Sequence, residues 1–318
     1  MNCIGIDVGK QELVVYDGKE HHVFPNTPKL KEIRNFINSQ PEDLVLVFEP
    51  TSTYSRYLET LCIEKEIPCC MPNPRIVPHL REVEQERSKT DLTDSQLLYL
   101  YGMEKKKIKI IKRDELGCSL SSFMSLYKVV QKNRVACQGL KEALSKDPMT
   151  DPEVFQDLEE EIIRLKTKEK EIICKAQELI RKEDDRGQCL KGLESIPGIG
   201  TVTAITLLCL FRKYEETSRS EIVSLTGLDP VKKESGTSVR GKVRISKRGS
   251  KEVRKRLYEA TLSAARWNPA VRDLYQRLKK RGKPEKAARI AAARKLLVIA
   301  HAIYKKQDIY HIPEEVAA

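Results

Sequence analysis

The sequence is poor in the features that build one large apolar core or a membrane span. Aromatic residues make up 6% of its 318 positions, and Trp267 is the single tryptophan. Its longest apolar run, Ala204 to Phe211, falls far short of the roughly 20 residues that cross a bilayer. The opening residues, MNCIGIDVGK, carry a carboxylate and no apolar leader. Nine cysteines are scattered without a CxxC pair, and the five histidines have no ligand spacing. Such a pattern suits reduced thiols and offers no zinc site. The expectation is a soluble, unsecreted protein of a reducing cytosol with no membrane partner.

Positive charge is what the chain has in excess. Lys+Arg number 58 against 46 Asp+Glu, a net charge of +12. Residues 231–318 hold 24 Lys+Arg against 8 Asp+Glu, a balance of +16, and residues 1–230 are left at −4. A polyanionic partner for the last quarter follows, although charge does not distinguish DNA from RNA. The length favours more than one domain.

Hydrophobic periodicity gives a fold class of α/β followed by α. CIGIDV, ELVVYD and HHVFPN read as strands, with Asp17-Gly18 as a hairpin turn. Leu30, Ile33, Phe36 and Ile37 recur at helical spacing, LVLVFE is a continuously apolar strand, and IPCCM follows a further helix. The order βββαβαβ emerges, with a later helix over Leu92–Tyr101. Phe155, Leu158, Ile162, Leu165, Glu169, Ile172, Ala176 and Leu179 then step by three and four, the seam of a coiled coil with one polar position. An earlier helix carries Phe123, Leu126, Val130, Cys137, Leu140 and Leu144, and Asp147-Pro148 with Asp151-Pro152 separates the pair. This helical hairpin reads equally as a spacer or as an oligomerisation arm. The final basic stretch reads as two or three helices broken at Asn268-Pro269 and Gly282-Lys283-Pro284. Three domains are expected: 1–113, 114–186 and 187–318.

Four carboxylates stand in unusual places. Asp7 interrupts an apolar strand, Glu49 ends another, and Asp91 and Asp94 share one helix face in KTDLTDS. A carboxylate at a buried strand needs a cation or donors, and like charges one helical turn apart oppose each other. Taken singly, each has a structural explanation as a cap or strand end. Together they form the pattern by which a ribonuclease H-like sheet gathers carboxylates around two divalent cations. Such a pair, about 3.5–4 Å apart, activates the attacking oxygen and stabilises the leaving one in phosphoryl transfer. An all-carboxylate set suits Mg²⁺ better than Zn²⁺.

Farther along, Pro197-Gly198-Ile199-Gly200 lies between two helical patterns. Gly198 and Gly200 would let the backbone approach a phosphate, as in a helix-hairpin-helix element, with a plain turn as the alternative. The next segment supplies Lys232, Lys233, Arg240, Lys242, Arg244, Lys247 and Arg248 for phosphate contacts. Ser235, Thr237, Ser238, Ser246 and Ser250 lie among them. One of these hydroxyls is a candidate nucleophile, and composition does not choose among them.

In order along nearly the whole chain, MNCIGIDVGK, FEPTSTY, Asn73-Pro74, KTDLTDS, SIPGIG, GLDP and ESGTSVRGKVRISKRGSKEVRKRL resemble the DEDD transposases of bacterial insertion sequences. These are also called bridge-RNA-guided serine recombinases, with the Piv-type invertases as relatives. The resemblance implies a RuvC-like (RNase H-like) N-terminal domain with Asp7, Glu49, Asp91 and Asp94 as catalytic ligands of Mg²⁺, two ions per site. It implies a coiled coil that assembles a dimer or tetramer, and a mainly α C-terminal transposase domain whose nucleophile is Ser235. Donor and target double-stranded DNA and a structured non-coding guide RNA would be the partners. Pro50, Ser52 and Ser95 stand where the family usually has small Ala or Gly residues. The competing readings are a junction-resolving Mg²⁺ nuclease that activates water, a site-specific DNA invertase, and a non-enzymatic nucleic-acid-binding protein.

Overall fold

A computed structural model describes residues 2–50, 53–72, 76–84, 90–104, 114–183, 187–232, 234–235, 239–240 and 243–312. The chain divides into two compact units, Met1–Arg113 and Asp114–Ala318. Ser52, Asn73-Pro74, Lys233, Thr237, Ser238 and Lys242 lie outside the described residues, as do the side chains of Ser235 and Arg240.

The first unit is built on a five-stranded mixed sheet. Strands β1 (Asn2–Val8), β2 (Glu12–Tyr16) and β3 (His21–Pro25) form an antiparallel meander; β4 (Leu44–Phe48) and β5 (Cys69–Cys70) run parallel to β1, giving the order β3-β2-β1-β4-β5. Helices α1 (Lys31–Asn38) and α2 (Arg56–Glu64) supply the crossovers. All five residues of β4 are buried, as expected of a central strand covered on both faces. Ile4, Ile6, Leu46 and Phe48 meet Ile33 and Ile37 of α1 and Leu58 and Leu61 of α2 on one side. Cys3, Val45 and Val47 meet Leu97 and Leu98 of α4 (Asp91–Glu104) on the other, beside α3 (Ile76–Val83). Alternation along the pleat thus sends odd-numbered β1 residues, including Asp7, toward the α4 side.

The second unit begins with the long antiparallel pair α5 (Glu115–Leu144) and α6 (Pro152–Lys182). Asp114 caps α5 by accepting from the Gly117 N–H (3.0 Å), and Asp151 caps α6 just ahead of its Pro152. Along α6 every expected seam residue is buried or half-buried. The polar seam residue, Glu169, accepts a 2.7 Å hydrogen bond from Nε of Arg134. On α5 the inward face differs from the expected one. Tyr127 and Val130 are buried, whereas Leu126 and Leu140 are about half exposed. The face is rotated because α5 also packs Leu116 and Leu120 into the C-terminal core.

That core gathers α7 (Gly187–Glu194), α8 (Thr201–Lys213), α9 (Arg219–Thr226), α10 (Lys251–Trp267), α11 (Pro269–Lys280) and α12 (Glu285–Lys306). The basic stretch therefore forms three helices, broken at Asn268 and Pro284 as the sequence indicates. Between α9 and α10 the serine-bearing segment forms two antiparallel strand pairs. β6 (Pro230–Val231) pairs with β9 (Arg244–Ile245), and β7 (Glu234–Ser235) with β8 (Val239–Arg240). No helix among the described residues is long and apolar enough to cross a membrane.

Candidate active site

The parallel register of β1 and β4 brings two of the four carboxylates together. Ile6 pairs with Phe48, so Asp7 and Glu49 come next on adjacent strands, about 5 Å apart along the hydrogen-bonding direction. They follow Gly5 and Val47 on the α4 side of the sheet and are both half-buried. Each has an interaction partner.

Helix α4 carries the other two to the same end of the sheet. A Cβ on Gly5 would collide with the Ser95 carbonyl and the Tyr99 amide, and one on Gly102 would strike Cys3 and Val47. The helix therefore runs antiparallel to β1 on a track without intervening side chains. Gly102 lies beside Cys3 and Ser95 beside Gly5, so the first turn, Asp91 to Asp94, lies toward Asp7. Ser95, bulkier than the family's usual Ala, fits because its hydroxyl donates to the Leu92 carbonyl at 2.8 Å.

Neither helix carboxylate is needed as a cap. Thr90 fills that role: its hydroxyl accepts from the Thr93 N–H at 3.2 Å and its carbonyl from the Asp94 N–H at 3.0 Å. Asp91 is exposed. Asp94 is ion-paired with Arg81 of α3, both side chains about 15% exposed. No three of the four carboxylates bring their oxygens within 4.8 Å of one another among the described residues. The donor set, all hard oxygens and partly balanced by one guanidinium, fits a divalent cation such as Mg²⁺.

Two positioning residues carried no signal in the sequence. Arg81 looked like any helix-surface arginine, yet its guanidinium neutralises Asp94 and its buried Nε has no hydrogen-bond partner. Asn26 donates from Nδ2 to the carbonyls of Gly9 (2.9 Å) and Tyr54 (3.0 Å). It thereby braces the loop after Asp7 against the segment after Glu49. Asp17, Glu20 and His22, which lie close enough to share an ion, have a structural explanation. Asp17 accepts from the Lys19 and Glu20 amides at 2.8 and 2.9 Å and closes the β2–β3 turn.

In the second unit, Gly198 has φ +100° and holds the turn against α10, where a Cβ would lie 2.6–2.8 Å from Ala264. Gly200 is the N-cap of α8 with no side-chain cap bond, and its Cβ position is open. Arg244, Lys247 and Arg248 are exposed, as is Lys232, which has a partner of its own. The hydroxyl candidates separate. Ser246 donates to the Asp229 carboxylate, and Ser250 caps α10 by accepting from the Val253 N–H. Ser235 sits in β7, paired with Val239 of β8.

Comparison with known proteins finds matches toward both ends of the chain. Residues 4–144 match the DEDD transposase model of the IS110 type, and residues 190–276 match the transposase IS116/IS110/IS902 family. The pilin gene-inverting protein of Moraxella bovis is 25% identical over 316 residues, 95% of each chain. Its counterpart from Moraxella lacunata is 25% identical over 314 residues, again 95% of each. An uncharacterized 43.6 kDa protein of insertion element IS110 from Streptomyces coelicolor is 28% identical over 119 residues, 37% of this chain and 29% of that one.

These matches define a DNA recombination enzyme of the transposase class. The chain belongs to the DEDD transposases of insertion sequences, the IS110 type. The family uses divalent metal ions and acts on DNA, and the mixed sheet is consistent with an RNase H-like N-terminal domain.

Proposed function

We propose that this protein cuts and rejoins DNA through a serine nucleophile. Asp7, Glu49, Asp91 and Asp94 would hold Mg²⁺, two ions per site, which when bound supplies Lewis-acid activation of a phosphodiester. Ser235 attacks the scissile phosphorus. An Oγ–P bond forms as the hydroxyl gives up its proton, one deoxyribose P–O bond breaks, and the released deoxyribose oxygen takes up a proton in its place. Attack by the hydroxyl of a second strand reverses these bond changes and frees the serine. Lys232, Lys233, Arg240, Lys242, Arg244, Lys247 and Arg248 neutralise phosphates around this step, and the Gly198–Gly200 turn serves as a helix-hairpin-helix contact to the backbone. The observation that carries the reading is the common level of Asp7 and Glu49, with the Asp91–Asp94 turn directed toward them and relieved of capping by Thr90. The structural engagement of Ser246 and Ser250 leaves Ser235, Thr237 and Ser238, and the family resemblance points to Ser235 among them.

The test is a Mg²⁺-dependent strand-exchange assay with Ser235→Ala and Asp7→Asn. Both are expected to lose exchange by at least about a hundredfold; wild-type rates in both would overturn the mechanism.

A structured non-coding RNA would select donor and target DNA, so the protein need not read bases itself. Sequencing of co-purified RNA is expected to give one structured species, and only degraded cellular RNA would argue against guidance. The full-length relation to two pilin gene-inverting proteins favours inversion as a second outcome of the same chemistry. The α5–α6 arm would assemble protomers into a dimer or tetramer. Half-exposed Leu126, Val129, Val135 and Leu140 on α5 support that role.

A further inference from the structure

We infer that Trp267 is a stacking platform for an unpaired nucleobase, held beside the Gly198–Gly200 turn. The inference rests on the reading that the basic C-terminal unit binds nucleic acid. Trp267 is the only tryptophan of the chain and is 71% exposed. An indole is among the side chains that gain most from burial, so a fixed one in water signals a missing partner.

This one is fixed. It ends α10, and the next residue, Asn268, is fully buried and caps α11. Asn268 Oδ1 accepts from the Val271 N–H at 3.2 Å and the Tyr310 hydroxyl at 3.3 Å. Pro269 follows, also buried, so the corner presents Trp267 outward from a rigid base.

Its surroundings select the partner. Gly198 lies against Ala264, one helical turn before Trp267. The open N-cap of α8 at Gly200 therefore belongs to the same neighbourhood. Arg266, the preceding residue, is exposed, and residues 251–283 hold 11 Lys+Arg against 3 Asp+Glu. A cationic rim suits phosphates and is unlike the core of a protein–protein interface. Aromatic faces within basic grooves are how single strands are held, each stacked base contributing about 1–3 kcal/mol. Within a duplex the bases already stack on one another, so the indole finds a free face only where a base is unpaired. Strand opening during recombination, or a loop of RNA, would supply one.

The sole tryptophan reports on itself. Full-length protein is titrated with a labelled single-stranded DNA, an RNA of the same sequence and the blunt DNA duplex, reading label anisotropy and Trp emission together. The platform predicts quenching on single-strand binding and little on duplex binding. The more strongly quenching strand, DNA or RNA, identifies the source of the base. Trp267→Ala is expected to weaken single-strand binding about 5- to 150-fold, with Trp267→Phe retaining most affinity and duplex binding unchanged in both. Binding with unaltered emission and no Trp267→Ala effect would overturn the platform alone. A concentration-dependent emission shift without nucleic acid would assign the indole to a protein interface and also overturn it. Absence of binding to every strand would overturn the nucleic-acid reading beneath it.

Discussion

The carbonyl of Ser95 occupies the space where a Cβ on Gly5 would stand. That contact fixes how closely α4 lies on β1, and with it the approach of the Asp91–Asp94 turn to Asp7 and Glu49. Backbone rather than a movable side chain fills the position, so nothing nearby can yield.

Gly5→Ala is accordingly expected to destabilise the protein by about 1–3 kcal/mol, since overpacking against backbone forces the helix away. Gly139→Ala is the matched control, because the added Cβ meets nothing within 4 Å and the site is inside α5. It should stabilise by about 0.5–1 kcal/mol. Urea unfolding of both variants measures the contrast.

Arg81→Gln leaves Asp94 largely desolvated without its counter-charge. Loss of about 1–3 kcal/mol is expected in the absence of divalent cation, since an unpaired buried carboxylate loses its compensation. Added Mg²⁺ should raise the thermal midpoint of the variant more than that of the wild type. An equal shift in both would separate Arg81 from the metal site.

Arg134→Ala and Glu169→Ala should each weaken the helical hairpin by about 1–3 kcal/mol, because their side chains are under 20% exposed and each loses its ion-pair partner. Arg134→Met with Glu169→Leu should recover most of the loss. A double-mutant cycle in urea gives the coupling directly.

His301 is buried against Phe211. Its burial, with the nearby Lys305 charge, holds the imidazole below its usual value of 6.5. The unfolded chain therefore binds a proton that the folded one resists. This contribution to stability is present above pH 6.5 and is lost as pH falls through that value toward the lower folded one. The melting midpoint should drop less between pH 7.5 and 5.5 in His301→Gln than in the wild type.

Thiol labelling checks the packing of the first unit. Burial, with the neighbouring Cys70, pushes the Cys3 thiol up to about 12, whereas Cys118 and Cys174 are exposed. Alkylation near neutral pH should modify Cys118 and Cys174 first and leave Cys3 unmodified until unfolding.

The elements that sequence patterning revealed are those whose signal is local. The apolar runs around Ile4 and Leu46 gave β1 and β4, and the same strands exposed Asp7 and Glu49 as misfits. Heptads gave α6, including Glu169 as its polar position. What escaped depends on distant partners. Leu126 and Leu140 kept helical spacing, but Tyr127 turns inward because α5 also serves the C-terminal core. Two-residue strands such as Glu234–Ser235 are too short to alternate. Arg81 and Asn26 act through tertiary hydrogen bonds that leave no periodic trace.

The central claim, a serine covalently joined to DNA, is tested most directly by quenching a Mg²⁺ cleavage reaction in denaturant and analysing the protein by mass spectrometry. The account predicts a DNA adduct on the peptide containing Ser235, absent in Ser235→Ala and in Asp7→Asn. Accumulation of cleaved strands with no adduct on any peptide would contradict it and make water the nucleophile.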